Sequence, residues 1–383
     1  MTQKTLFAPA RLGGLELPNR LVMAPLTRNR AGADGVPGAL MATYYAQRAS
    51  AGLIIAEAAA PNAVGQTYPH IPGIHTPAQI AGWRRVTGAV HTAGGRMFLQ
   101  LQHGGRVGHP DTSGHVPLAP SAVRFPEQLH TPGGLQDALT PREMTDEDIR
   151  ATVADFAKAA RNAVDAGFAG VEVHSANGHL LHQFLARNTN RRTDRWGGSA
   201  EGRIRFTVEV VRAVIGAVGA DRVGVRISPG LGVNGIEEGD TEALYPALVE
   251  ALAQLGPVYL HQVYADPAAP LFGGIRRAWP GTLIANPALT REEVATDAGM
   301  RRGERLLAAG ADLIALGRGF LANPDLVERL RGGAPLNALR PEFFMYVQGA
   351  EGYTDYPALD ASGIRAAAPS AAGPRGGRRP AAV

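Results

Sequence analysis

The sequence predicts a protein of the α/β class built as one closed (β/α)8 barrel, and three observations carry that prediction. Eight short apolar runs recur along the 383 residues, most of them followed by a helical pattern. Most of these runs are continuously apolar rather than alternating, as strands covered on both faces are. A long His/Pro/Gly-rich excursion follows the third run, on the side where a barrel builds its active-site loops. Alternating strands and helices imply a parallel sheet, and eight repeats favour closure. An open doubly wound sheet is the alternative.

The elements follow in order. Residues 6–17 place short apolar runs on either side of Gly13-Gly14, a hairpin pattern that closes the barrel floor. The strands read as Leu21–Ala24, Leu53–Ala58, Met97–Leu101, Gly170–His174, Val223–Ser228, Val258–Val263, Thr282–Asn286 and Asp312–Gly317. Pro77–His91 and Thr241–Leu255 read as helices. Another helix begins at Thr145, which makes a capping-box pattern with Asp148. Ile149, Val153, Phe156, Ala160 and Val164 give it one apolar face, and it ends near Gly167. Residues 103–144, a long loop after strand three, are expected to form a lid over a substrate. Residues 1–360 read as one domain. Residues 361–383, rich in Ala, Gly, Pro and Arg, read as a disordered tail.

Composition narrows the function. Hydrophobic content of 45% and charged content of 19% describe an ordinary globular protein with a large core. Cysteine is absent, which excludes disulfides, thiolate metal sites and cysteine nucleophiles. No run of about 18 apolar residues suggests a membrane span. The start, Met1-Thr2-Gln3-Lys4-Thr5, lacks the apolar core of a signal peptide, so a cytoplasmic location is expected. The net charge of +4 equals the charge of Arg365, Arg375, Arg378 and Arg379 in the tail, so the body is neutral. A basic nucleic-acid face is therefore not supported. His103, His109, Asp111 and His115 match no metal-binding spacing. Gly94-Gly95 and Gly104-Gly105 lack the strand–glycine–helix context of a dinucleotide fingerprint.

The chemistry concentrates at the end of the fourth strand. Val171 and Val173 belong to a buried strand, and polar residues gather where it gives way to a helix. His174 and Asn177 sit three apart, so both side chains can point at one ligand atom. Two N–H donors aimed at one spot suit a carbonyl or nitro oxygen that gains charge during reaction. His179 and His182 cluster with them.

The run His174-Ser175-Ala176-Asn177-Gly178, then Leu180-Leu181 and Gln183-Phe184-Leu185, then Asn190 to Ser199, resembles the signature of the Old Yellow Enzyme family. The resemblance extends along the chain. It includes Met23-Ala24-Pro25-Leu26-Thr27-Arg28, Tyr44-Tyr45-Ala46-Gln47-Arg48-Ala49, Gln100-Leu101-Gln102-His103-Gly104-Gly105-Arg106, Arg226-Ile227-Ser228-Pro229, Ala315-Leu316-Gly317-Arg318 and Gly349 to Pro357. It implies a barrel that binds FMN non-covalently, takes hydride from NADPH or NADH, and reduces the C=C bond of unsaturated carbonyl or nitro compounds by ping-pong hydride transfer.

The resemblance also assigns residues. Pro25, Leu26, Thr27, Ala58, Gln100, Arg226, Asn286, Gly317 and Arg318 would contact FMN. The Gln100 amide donates and accepts at once, as the pyrimidine edge of the flavin requires. Arg226 would sit as a fixed cation beside N1–C2=O. Ala285-Asn286-Pro287 departs from relatives that carry glycine there, and proline removes a backbone donor. Either the Asn286 side chain or Arg318 would then carry the phosphate. His174 and Asn177 would hold the substrate oxygen, and Tyr68, Gln102 and Tyr353 would contact the substrate. Gln102 stands where many relatives have tryptophan. His179 stands where most relatives have a tyrosine that protonates the α-carbon. It is either the donor or a pocket-lining residue. The rival readings are a pathway-specific isomerase or dehydrogenase of the same fold, a flavin-free lyase or aldolase barrel, and a non-catalytic flavin-binding protein. A lyase of that kind needs a lysine at a strand end. The only lysines are Lys4 and Lys158, and neither lies at one.

Overall fold

The computed structural model describes residues 4–359. Eight strands form the barrel: β1 (Leu21–Met23), β2 (Leu53–Ala59), β3 (Met97–Leu101), β4 (Gly170–Ser175), β5 (Val223–Ile227), β6 (Tyr259–Ala265), β7 (Thr282–Pro287) and β8 (Leu313–Leu316). Each pairs in parallel with the next, and β8 returns to β1 to close the ring. The strands fall within a residue or two of the apolar runs. Continuous apolarity has a plain cause: every residue of β1, β2, β3, β4 and β5 is buried, one face toward the barrel axis and the other under helices.

The floor is a hairpin, Ala10–Leu12 against Leu15–Leu17, turning at Gly13 with φ of +55°. Ala10, Leu12 and Leu17 join Val22, Leu53, Phe98 and Tyr259 in the cluster that fills the lower barrel. Each large apolar side chain buried there contributes about 1.5–3 kcal/mol. The outer core packs the other strand faces against the helices, among them Pro77–Thr92, Asp146–Asp165 and Thr241–Leu255. Thr145 and Asp148 do form a capping box at the second of these. Its buried stripe runs through Ile149, Phe156, Ala159, Ala160 and Ala163, while Val153 and Val164 are only half-buried.

The long loop after β3 is ordered into small pieces, including the hairpin Gln128–Thr131 with Gly134–Asp137. The tail expected at 361–383 lies outside the described residues. Among the described residues, no helix is long and apolar enough to cross a membrane.

Candidate active site

The C-terminal end of β4 is shaped by backbone first. Asn177 adopts φ of +54° and Gly178 of +76° in the turn that follows the strand. A Cβ on Gly178 would lie 2.5 Å from Asn234 Cβ, so this turn packs against the 233–236 loop only with glycine. Two motif side chains lock the turn. Gln183 donates to the carbonyls of Gly178 and Gly104, and its Oε1 accepts from Arg106 N. His182 Nδ1 accepts from Gly178 N, so its proton is on Nε2 and points at Glu238 Oε1, 2.8 Å away. His182 therefore faces the scaffold rather than the site.

A cavity of about 350 Å³ opens at this end of the barrel. It is lined by Pro25, Leu26 and Thr27 after β1, Gln100 and Gln102 at the end of β3, and His174, Asn177 and His179 after β4. Arg226 and Arg318 complete its polar wall. A second cavity, about 210 Å³, shares Pro25, Leu26, Asn177, Arg226 and Arg318 and continues past Asn286 and Gly317. The two together make an elongated trough with a ring-sized part and an arginine-ended part.

The barrel register sets the polar floor: Gln100 lies beside Glu172, His174 beside Arg226, and Arg226 beside His261. Gln100 Nε2 donates to Glu172 Oε1 at 2.8 Å, which turns the glutamine's oxygen away from Glu172. Burial raises the Glu172 pKa, but His261, Arg226 and Gln100 outweigh it and hold the carboxyl below its ordinary value. Burial lowers the Arg226 pKa, opposed by Glu172 and Tyr259, and guanidinium remains charged. Arg226 also donates to Asn286 Oδ1, and the Asn286 amide donates to Ala315 O. Asn286 thus aims Arg226, and Arg318 is a second cation that lines both cavities.

Several buried polar atoms around this space have no protein partner: Arg226 Nε, His174 Nδ1, Asn177 Oδ1 and His261 Nε2. Buried polar groups are nearly always paired, so such a cluster marks a place built for a ligand. His174 is held neutral, its pKa pushed far down by burial and then by His179 and Arg226. His179 is lowered to about 3, chiefly by burial. His174 Nε2 and His179 Nδ1 lie 3.1 Å apart.

Two expected residues do not reach the trough. Ala58 is buried within β2 and lines neither cavity. Tyr353 is wholly buried and stacks on Tyr44 at 4.0 Å beneath Arg28 and Arg30. It is a packing tyrosine, because the arginines pull its segment down onto the end of β1. No residue of the excursion 103–144 lines the cavity that holds His174 and Asn177. Its hairpin frames a separate outer cavity of about 520 Å³ with Tyr346. The walls that sequence reading missed are Val233 and Asn234, Leu321, and Phe344 and Met345. Arg106 fixes the 234–235 turn through two carbonyls, and Arg28 and Arg30 strap Phe343 and Phe344. Only those buried arginines offered a signal for these walls.

The chain matches the NADH:flavin oxidoreductase / NADH oxidase family over residues 5–337. The 12-oxophytodienoate reductase 1 of Oryza sativa subsp. japonica is 40% identical over 369 residues, 93% of this chain and 93% of that protein. Among solved structures, morphinone reductase in complex with tetrahydroNAD superposes with a TM-score of 0.87 at 44% identity, over 94% of this chain and 99% of that one. The Old Yellow Enzyme homologue from Zymomonas mobilis superposes with a TM-score of 0.85 at 39% identity, over 92% and 99%.

Proposed function

The chain belongs to the NADH:flavin oxidoreductase / NADH oxidase family, the Old Yellow Enzyme family of FMN-dependent NAD(P)H oxidoreductases, and from that premise we propose that it reduces the C=C bond of α,β-unsaturated carbonyl or nitro compounds. The carrying observation is that His174 and Asn177, whose Nδ1 and Oδ1 have no protein partner, face the same cavity as Gln100 and Arg226.

The residues fit FMN. Gln100 with Arg226 would meet the pyrimidine edge, where the unpaired Arg226 Nε awaits an acceptor. Thr27 lines the ring-sized part, and Gly317 with Arg318 lines the phosphate end. Arg318 gives a charge-assisted bond to phosphate. Bound flavin supplies hydride that it has taken from NADPH or NADH. His174 and Asn177 bind the substrate oxygen, polarise the alkene and stabilise the negative charge that grows on that oxygen. A neutral His174 suits this task, because it donates without adding a fixed charge that would bind every anion. Gln102, tied to Thr67 at 3.0 Å, leaves the pocket floor polar and smaller than a large ring would. One shared cavity supports a ping-pong order, with the nicotinamide leaving before the acceptor enters.

The purified protein is expected to be yellow and to release FMN on denaturation. Anaerobic NADPH or NADH should bleach it, and an enone or nitroalkene should restore the colour. A protein that neither carries nor accepts FMN would end the proposal.

A further inference from the structure

We propose that the proton delivered to the substrate's α-carbon comes from Tyr68, and that His179 is the positioning residue that holds this phenol in place. The inference rests on the ene-reduction reading above.

The geometry of three rings carries it. His179 Nδ1 faces His174 Nε2 at 3.1 Å, and His179 Nε2 faces Tyr68 Oη at 3.5 Å. A neutral imidazole has one N–H and one lone pair. One proton therefore occupies the space between the two histidines. His174 Nδ1 is the nitrogen without a protein partner, so it must carry the proton that His174 gives to a substrate oxygen. His174 Nε2 is then a lone pair, and His179 Nδ1–H donates to it. His179 Nε2 is in turn a lone pair, and it accepts from Tyr68. In this arrangement His179 has no second proton to give. An imidazolium would supply one, but burial and the neighbouring His182 and Arg226 disfavour it. With a pKa of about 3, roughly one molecule in ten thousand carries it at pH 7.

Tyr68 has what His179 lacks. Its phenol lines the catalytic cavity with His174 and Asn177. The hydrogen bond to His179 is long, so it orients the phenol while competing only weakly for its proton. Tyr68 and Asn234 also line the outer cavity framed by Phe125, His130 and Tyr346. Tyr68 thus borders both the cavity that holds His174 and Asn177 and the outer cavity. Burial pushes its pKa up to about 12, and the Asn234 side chain acts in the opposite sense by favouring the phenolate.

The step balances. Hydride addition at the β-carbon leaves an enolate or nitronate with its oxygen on His174 and Asn177. The Tyr68 O–H bond breaks and a C–H bond forms at the α-carbon, using the electron pair of the enolate double bond. The carbonyl or nitro group is restored. The phenolate, held by Asn234, recovers a proton from water in the outer cavity. The carbon of a ketone or aldehyde enolate is a far stronger base than a phenolate, so that transfer runs downhill; a nitronate is a much weaker base, so its protonation depends on the placed phenol and on water reprotonating it, which is why nitronate release reports the donor.

The test uses FMN-loaded wild type, Tyr68→Phe and His179→Phe, each reduced and then mixed with a nitroalkene in stopped flow. Flavin reoxidation and nitronate absorbance are followed together. Tyr68→Phe should reoxidise its flavin but release nitronate into solution, with nitroalkane formation on the enzyme falling about 100-fold or more. His179→Phe should turn over more slowly yet still release nitroalkane. The proposal fails if Tyr68→Phe forms nitroalkane as wild type does, or if His179→Phe is the variant that sheds nitronate. A wild type whose reduced flavin is not reoxidised by any nitroalkene or enone sinks the ene-reduction reading, and the donor assignment with it.

Discussion

Arg28 and Arg226 are both buried side chains at the catalytic end of the barrel, and the protein treats them in opposite ways. Arg28 uses all three nitrogens, on Phe344 O, Tyr44 Oη, Phe343 O and Gly352 O. Burial alone would lower its pKa, but Tyr44, Tyr353 and Glu57 reverse the sign and raise it. Arg226 donates to Asn286 and leaves Nε unpaired, and its pKa stays lowered. Burial by itself therefore does not separate a scaffold arginine from a ligand arginine. What separates them is whether the protein has already satisfied the guanidinium.

The unsatisfied side should carry the largest functional effect. Replacing both His174 and Asn177 by alanine is expected to cost about 2.7–4 kcal/mol of catalysis per donor. It should also abolish the long-wavelength charge-transfer band that a phenol gives when its oxygen sits between them over oxidised flavin. A phenol titration that looks like wild type would remove both residues from the oxygen site.

The arginine contrast can be broken directly. Arg28→Ala should destabilise the fold by about 2–4 kcal/mol, because it strips a strap and leaves the buried carbonyls of Phe343, Phe344 and Gly352 short of a charged donor. Arg226→Ala should leave the flavin-free protein close to wild type in a denaturant titration. It should weaken FMN binding at least about tenfold, or 1.4 kcal/mol. Equal destabilisation in the two variants would erase the distinction.

The strapped side also sets a pH dependence. Glu57 accepts from Arg28 N and Tyr45 Oη, yet burial raises its pKa to about 7. A carboxyl raised in the folded state stabilises most below its unfolded pKa, where it is neutral in both states. That contribution is lost as pH rises from about 4.5 to about 7, up to about 3 kcal/mol in all. Stability measured across this window should fall with pH, and Glu57→Gln should flatten the slope.

The smallest effect belongs to Tyr353. Its hydroxyl is buried without a partner, so Tyr353→Phe should change stability by less than about 1 kcal/mol and leave enone kinetics alone. A clear change in KM would return Tyr353 to the substrate site.

The sequence disclosed the barrel because its strands are buried on both faces and leave the simplest local mark, a short apolar run. It offered His174, Asn177, Gln100 and Arg226 as candidates because each lies in or just past the second half of such a run, where a barrel gathers its chemistry, and because the family resemblance points to them. Phe344, Met345 and Asn234 were not legible. Each lies on a loop whose place is fixed by distant partners, Arg28 and Arg30 for one pair and Arg106 for the other. Tyr353 closes the same strap, but its ring stacks on Tyr44 beneath Arg28 and Arg30 rather than lining the cavity. Asn286 and Pro287 were legible as a departure, but the bond from Arg226 to Asn286 needed coordinates.

The strap at residues 343–353 follows every barrel strand in the chain, so it is made after all of them. Domains are synthesised from the N-terminal end, and a closed barrel can form before this segment leaves the ribosome. The trough for the cofactor is then assembled earlier than the wall that Phe344 and Met345 give the substrate. A chain stopped near residue 337 would lack Phe344 and Met345 in the cavity wall and the carbonyls that hold Arg28 and Arg30.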